Sequence, residues 1–141
     1  MDTGELPEPI AEKIRTSFGR QSLMRTLGAE LGALTPGRVE IVAPILPGAR
    51  QQNGYGHAGL TFSIGDSAAG YAALTLMPVE ADVLSVEMKI NLLAPAEGAR
   101  LVAIGHVIKP GRRLFVVGAE VFAERAGGLK VAQIQGTMIP V

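Results

Sequence analysis

The chain has 141 residues, 48% of them hydrophobic and 18% charged, which is enough to bury a core and argues against disorder. Thirteen basic and thirteen acidic side chains cancel, so any hold on nucleic acid, an anionic membrane or another anion has to be local. The absence of cysteine excludes disulfides and thiol nucleophiles; two histidines without closely spaced carboxylates speak against a metal centre, and four Phe, two Tyr and no Trp against a base-stacking platform.

Met1-Asp2-Thr3-Gly4-Glu5 is acidic and lacks the basic and apolar regions of a signal peptide, and no run approaches a membrane span, so a cytoplasmic protein is expected. From Pro9 to Phe18, Ile10, Ile14 and Phe18 recur at helical spacing, with Pro9 near the first turn. This predicts a short amphipathic helix acting as a lid or packing element. Gly28 to Leu34 and Arg38 to Ala43 flank Thr35-Pro36-Gly37 and read as a hairpin. Leu46 to Gly56 reads as a loop, and Ala58 to about Leu76 as the one long helix.

Beyond Met77-Pro78 the period changes to two. Val83 to Leu93, Ala99 to Ile108, Arg113 to Ala123 and Lys130 to Val141 read as four strands with short turns, hence an antiparallel meander. With the hairpin they make a curved sheet whose one sizeable partner is the long helix, so the sheet must wrap it. The expectation is one α+β domain over 1–141, with about five to six strands and residues 1–20 packed on it as an N-terminal helix.

The chemistry concentrates at the start of the long helix. Asn53-Gly54-Tyr55-Gly56 is a polar, glycine-rich approach, after which His57, Ala58 and Gly59 open the first turn. Such a start presents unpaired N–H groups and a positive dipole end to a ligand. Leu60, Ile64, Ala68 and Tyr71 fall on one side, whereas Gly59, Phe62, Ala69, Gly70 and Ala73 surround Asp66 on the other. Asp66 is the one charge between Gly56 and Pro78, which is not how a solvated helix face is written. Small neighbours leave that carboxylate open to another backbone or a substrate.

This order of elements, with His57-Ala58-Gly59 opening the helix and Asp66 nine residues after His57, resembles the hotdog-fold acyl-CoA thioesterases of the phenylacetate-pathway (PaaI-like) type. The resemblance runs from about Gly28 to Val141. It is supported by the strand Leu84 to Asn91, the Ala94-Pro95 and Gly111-Arg112-Arg113 turns, and a last strand containing Gly136-Thr137. It implies that Asp66 is the catalytic base or nucleophile, that the Ala58 N–H is the oxyanion donor, and that a hydroxyl at Ser85 assists water. Where the family often has glycine and asparagine, this chain has Ala58 and Gln51. The N–H survives the first change, while the longer Gln51 alters the asparagine's contact to carbonyl or water. His57, Gly59 and Asn53 are expected to position substrate, and Arg112 and Arg113 to offer charge to the phosphates of coenzyme A. Coenzyme A is then part of the substrate, and no cofactor or metal is expected.

Ala58 and Asp66 are eight residues apart on one helix, or ~12 Å along its axis. One thioester carbon cannot touch both. A two-fold homodimer, possibly doubled into a tetramer, solves this if Asp66 of one chain meets Ala58 of the other, with Gly59, Ala69, Gly70 and Ala73 as the surface of close approach. The competing expectation is a non-catalytic acyl-CoA binding or sensing protein, which has no need of a carboxylate beside an anionic ligand.

Overall fold

A computed structural model describes residues 4–141, so the expectation resting on Met1 to Thr3 lies outside the described residues. The elements in chain order are α1 (Glu8–Arg20), α2 (Ser22–Thr26), β1 (Glu30–Thr35), β2 (Arg38–Pro44), a single 3-10 turn (Pro47–Ala49), α3 (Ala58–Leu74), β3 (Val83–Leu92), β4 (Arg100–Lys109), β5 (Phe115–Ala123) and β6 (Lys130–Pro140). Period-two alternation and turn chemistry place the strands within two residues of expectation. Pro36-Gly37 makes the β1–β2 turn because Gly37 takes φ of 74°, a conformation glycine adopts freely. The short α2 is a feature the sequence reading lacks.

The six strands form one antiparallel sheet in the order β1-β2-β4-β5-β6-β3, wrapped around α3 as a hotdog fold. This corrects the expected meander. β4, β5 and β6 do run as consecutive neighbours, but β3 pairs with β6, because the free side of β4 is taken by β2 through Val39↔Gly105 and Ile41↔Ala103. β3 is therefore an edge strand.

The inner faces of β2, β4, β5 and β6 supply Val39, Ile41, Leu101, Ala103, Val117, Val121 and Ile134 to a core closed by Leu60, Ile64, Ala68 and Leu74 of α3. Sheet and helix touch backbone to backbone at Gly105, where a Cβ would fall 2.2 Å from the Ala68 carbonyl carbon and oxygen. From Ala68 to Thr75 the helix is buried all round. The expected open small-residue surface is thus wrong for Ala69, Gly70 and Ala73, which are spent on this chain's own sheet rather than on a second copy. Among the small residues expected there, Gly59 stays exposed.

α1 lies over the far end of α3. Its Ile14 is fully buried, Phe18 meets the Tyr71 ring with centroids 6.3 Å apart, and Lys13 Nζ donates to the carbonyls of Pro78 (3.1 Å) and Ala81 (2.8 Å). Burial lowers the Lys13 pKa, outweighing the opposite pull of Asp82 and Glu80. The lysine fastens α1 to the loop that feeds β3.

Candidate active site

Asp66 sits mid-helix, half-exposed, at a cleft of about 310 Å³ lined by α3, the start of β3, the end of β6 and the α1–α2 junction. Ser85 on β3 donates its hydroxyl to Asp66 Oδ1 at 2.7 Å. Met138 Sδ also lies 3.2 Å from Ser85 Oγ, but the single proton goes to the carboxylate as the stronger acceptor. A β-bulge shifts the β3 register between Ser85 and Glu87, at Val86. Bulges re-aim side chains in this way.

The other end of α3 opens a second cleft of about 610 Å³, lined by Gln51, Gln52, Tyr55, His57, Ala58 and Thr61 together with Leu92 to Ala96. His57 is the N-cap: its Nδ1 accepts the Gly59 N–H at 2.7 Å, and its carbonyl accepts from Leu60 (2.9 Å) and Thr61 (3.3 Å). Of the four N–H groups a helix start leaves over, those of Gly59 and Leu60 are committed in this way, that of His57 donates to Ala49 O at 2.9 Å, and that of Ala58 has no partner among the described residues. Gly59 makes the cap possible, since a Cβ there would come 3.0 Å from His57 Nδ1. The approach loop is held by Arg50, whose guanidinium donates to the carbonyls of Gly54 and Ile45 (both 2.7 Å), and by the Gly56 N–H on Ala96 O at 2.8 Å.

Gln51 lines this second cleft, but its Oε1 accepts the Asn53 N–H in a tight turn. The Asn53 side chain is exposed and belongs to neither cleft's lining. Arg112 and Arg113 stand exposed in the β4–β5 turn, without an ion pair among the described residues and away from both clefts' linings. One chain therefore brings Asp66 together with Ser85, and Ala58 with His57 and Gln51, in two clefts that share no lining residue.

Four polar residues in the Asp66 cleft escape the sequence reading. Tyr71 OH accepts from Gln21 Nε2 at 2.7 Å and shares a 3.0 Å hydrogen bond with Ser17 Oγ, while Ser67 Oγ donates to Gln21 Oε1 at 3.4 Å. The one advance signal is Tyr71 on the core stripe, since a buried tyrosine hydroxyl needs a partner. Nothing in a linear pattern says that the partner comes from the α1–α2 junction. Among the described residues no group of three or more His, Asp or Glu side chains is placed to hold a metal ion. No helix there is long and apolar enough to cross a membrane.

The profile of the thioesterase superfamily matches residues 53–129, which include His57, Ala58, Asp66 and Ser85 but not Gln51. The chain belongs to the thioesterase superfamily. A thioesterase family protein from Silicibacter pomeroyi is similar over 94% of this chain and 98% of its own, with 46% identity and a TM-score of 0.89. The PaaI protein of the phenylacetic acid degradation operon of E. coli shares the fold at 17% identity, with a TM-score of 0.86 over 97% of this chain and 96% of that one. A curated relative from Saccharolobus solfataricus, provisionally named an esterase, is 41% identical over 61 residues, 43% of this chain. The match spans 40% of that relative's length. Superfamily membership and the names of these relatives support thioester hydrolysis as the chemistry to be tested. The Asp66 carboxylate and the Ala58 N–H sit within the matched region.

Proposed function

We propose that this thioesterase hydrolyses acyl-coenzyme A, with Asp66 as base or nucleophile and the Ala58 N–H of a second copy as oxyanion donor. The observation that carries this reading is the 2.7 Å Ser85–Asp66 contact in one cleft while the uncommitted Ala58 N–H opens another. Hydrolysis needs a water oxygen or carboxylate at the thioester carbon and a donor where the carbonyl oxygen gains charge. A fixed N–H at a helix start meets the second need without moving a proton, and one such donor is typically worth ~3 kcal/mol. The acyl carbon gains the oxygen, the C–S bond breaks, and the departing thiolate of coenzyme A takes up the proton released from water.

The second copy follows from β3. Leu84 and Ser85 at its start line the Asp66 cleft, and Leu92 at its end lines the Ala58 cleft. Antiparallel pairing of β3 with its own copy about a two-fold axis sets the start of one strand beside the end of the other, joining complementary half-sites twice. The edge is apolar enough to need covering: Leu84, Val86 and Leu92 are each more than half exposed. Ser85 holds the Asp66 carboxylate toward water, His57 keeps the oxyanion N–H in place through its cap, and Gln51 lines the carbonyl side. Asn53 and Gly59 shape the approach to that N–H, and the unpaired Arg112 and Arg113 are free to meet coenzyme A phosphates. Coenzyme A enters as substrate, with no separate cofactor.

Release of free thiol from a panel of short, long and aromatic acyl-CoAs tests the proposal. Turnover of at least one class is expected, and none with any of them overturns it in favour of an acyl-CoA binding protein.

A further inference from the structure

The floor of the Asp66 cleft is polar where an acyl pocket for plain hydrocarbon would be apolar. Five helix residues beyond Asp66, ~7.5 Å along the axis, the buried Tyr71 turns its hydroxyl toward Gln21 and Ser17 at the α1–α2 junction. Phe18 packs on the same ring and fixes its direction. The proton count leaves donors over. Tyr71 OH and Ser17 Oγ carry one proton each and use only one between them, since either can be the donor. Gln21 Nε2 carries two and spends one on Tyr71. The acceptors are busier: Tyr71 oxygen takes the Gln21 N–H, and Gln21 Oε1 takes Ser67. A hydroxyl proton and an amide proton thus remain without a partner among the described residues, in a cleft that Asp66 also lines.

We propose that Tyr71, Gln21 and Ser17 read a hydrogen-bond acceptor on the acyl group, so that the substrate class is a short acyl thioester bearing a carbonyl, hydroxyl or ether oxygen away from the scissile bond. This rests on the thioesterase reading above, with Asp66 at the reacting carbon. Val83, Leu84, Gly70 and Met138 supply the apolar walls for the stem of the acyl chain. A plain alkyl group of the same length fills the stem region but leaves the floor donors without water and without a partner, and that mismatch is what discriminates.

The test compares levulinoyl-CoA with valeryl-CoA, which differ only by a ketone oxygen, and repeats the comparison with the ketone moved along longer chains. For at least one position kcat/KM should favour the oxygenated member by roughly ten- to a hundredfold. In Tyr71→Phe, which removes one hydroxyl and little volume, that ratio should fall toward one. Ser17→Ala, a mild change at a half-buried helix position, should reduce the same ratio and guards against a Tyr71 variant that folds poorly. Turnover of both members with equal kcat/KM at every ketone position overturns the inference and leaves the thioesterase reading standing. So do variants that lower the melting temperature while leaving a wild-type preference unchanged, which would make the network only an anchor for α1. If neither member nor any other acyl-CoA is turned over, the functional reading falls and this inference with it.

Discussion

The reactivity proposed for Asp66 rests on what its neighbours lack. Around it Ser63, Ser67 and Gly70 are small, and among the described residues Ser85 is the one side chain donating to it, which leaves its remaining lone pairs for a water or thioester. Asp66→Asn keeps the size and the Ser85 contact but cannot take a proton or attack. It should lower kcat by ~10²–10⁴ while far-ultraviolet circular dichroism and melting temperature stay near wild type. Ser85→Ala should cost about tenfold in kcat, the scale of one hydrogen bond to a charged group, with less effect on KM. Steady-state kinetics on the best acyl-CoA checks both. Asp66 was legible because a lone carboxylate on an apolar helix is an anomaly in any reading. Ser85 was legible only through family resemblance, since its strand alternates like any other and the bulge that aims it is a property of pairing. Gln21 and Ser17 were not legible at all, because tertiary packing alone carries them to the cleft.

At the scale of elements, local periodicity placed every strand but could not order them. β3 and β4 are neighbours in sequence, and the pattern within each is satisfied whichever strand lies beside it; the side of β4 that β3 would need is already closed by β2. The five residues of α2 are too few for a helical period to show. Helix α3 misled for another reason: its second half is buried on all sides, so small residues that look like an open face are where the sheet comes closest. Gly105 tests this. Gly105→Ala would drive a Cβ to 2.2 Å from the Ala68 carbonyl and 2.4 Å from the Ala69 nitrogen, contacts that only a shift of helix against strand could relieve. The expected loss is about 3 kcal/mol or more, read by urea or thermal unfolding. Gly48→Ala, with nothing within 4 Å of the new atom, should stay within about 0.5 kcal/mol.

At the scale of the whole molecule the proposed donor and carboxylate lie in separate clefts of one chain, and the proposed mechanism needs them at one carbon. If the β3 edges pair, each cleft is completed by the partner, and the two defects of two variants should complement. Asp66→Asn removes the carboxylate. Ala58→Pro removes the N–H at little structural cost, because that N–H makes no hydrogen bond among the described residues, proline suits the first helical position, and His57 at φ −63° and ψ 144° already has the extended backbone that a residue before proline prefers. Each homodimer should be nearly inactive. In a mixed dimer one site unites the intact Ala58 N–H of the first variant with the intact Asp66 of the second, while the other site carries both defects. Differently tagged chains, refolded together and purified through both tags, should recover about half of wild-type activity per dimer if the sites are independent. Mixed dimers that stay inactive, although both variants fold and bind acyl-CoA, would instead require Asp66 to work with a donor of its own chain, and the β3 edge would then have to be covered for some reason other than catalysis.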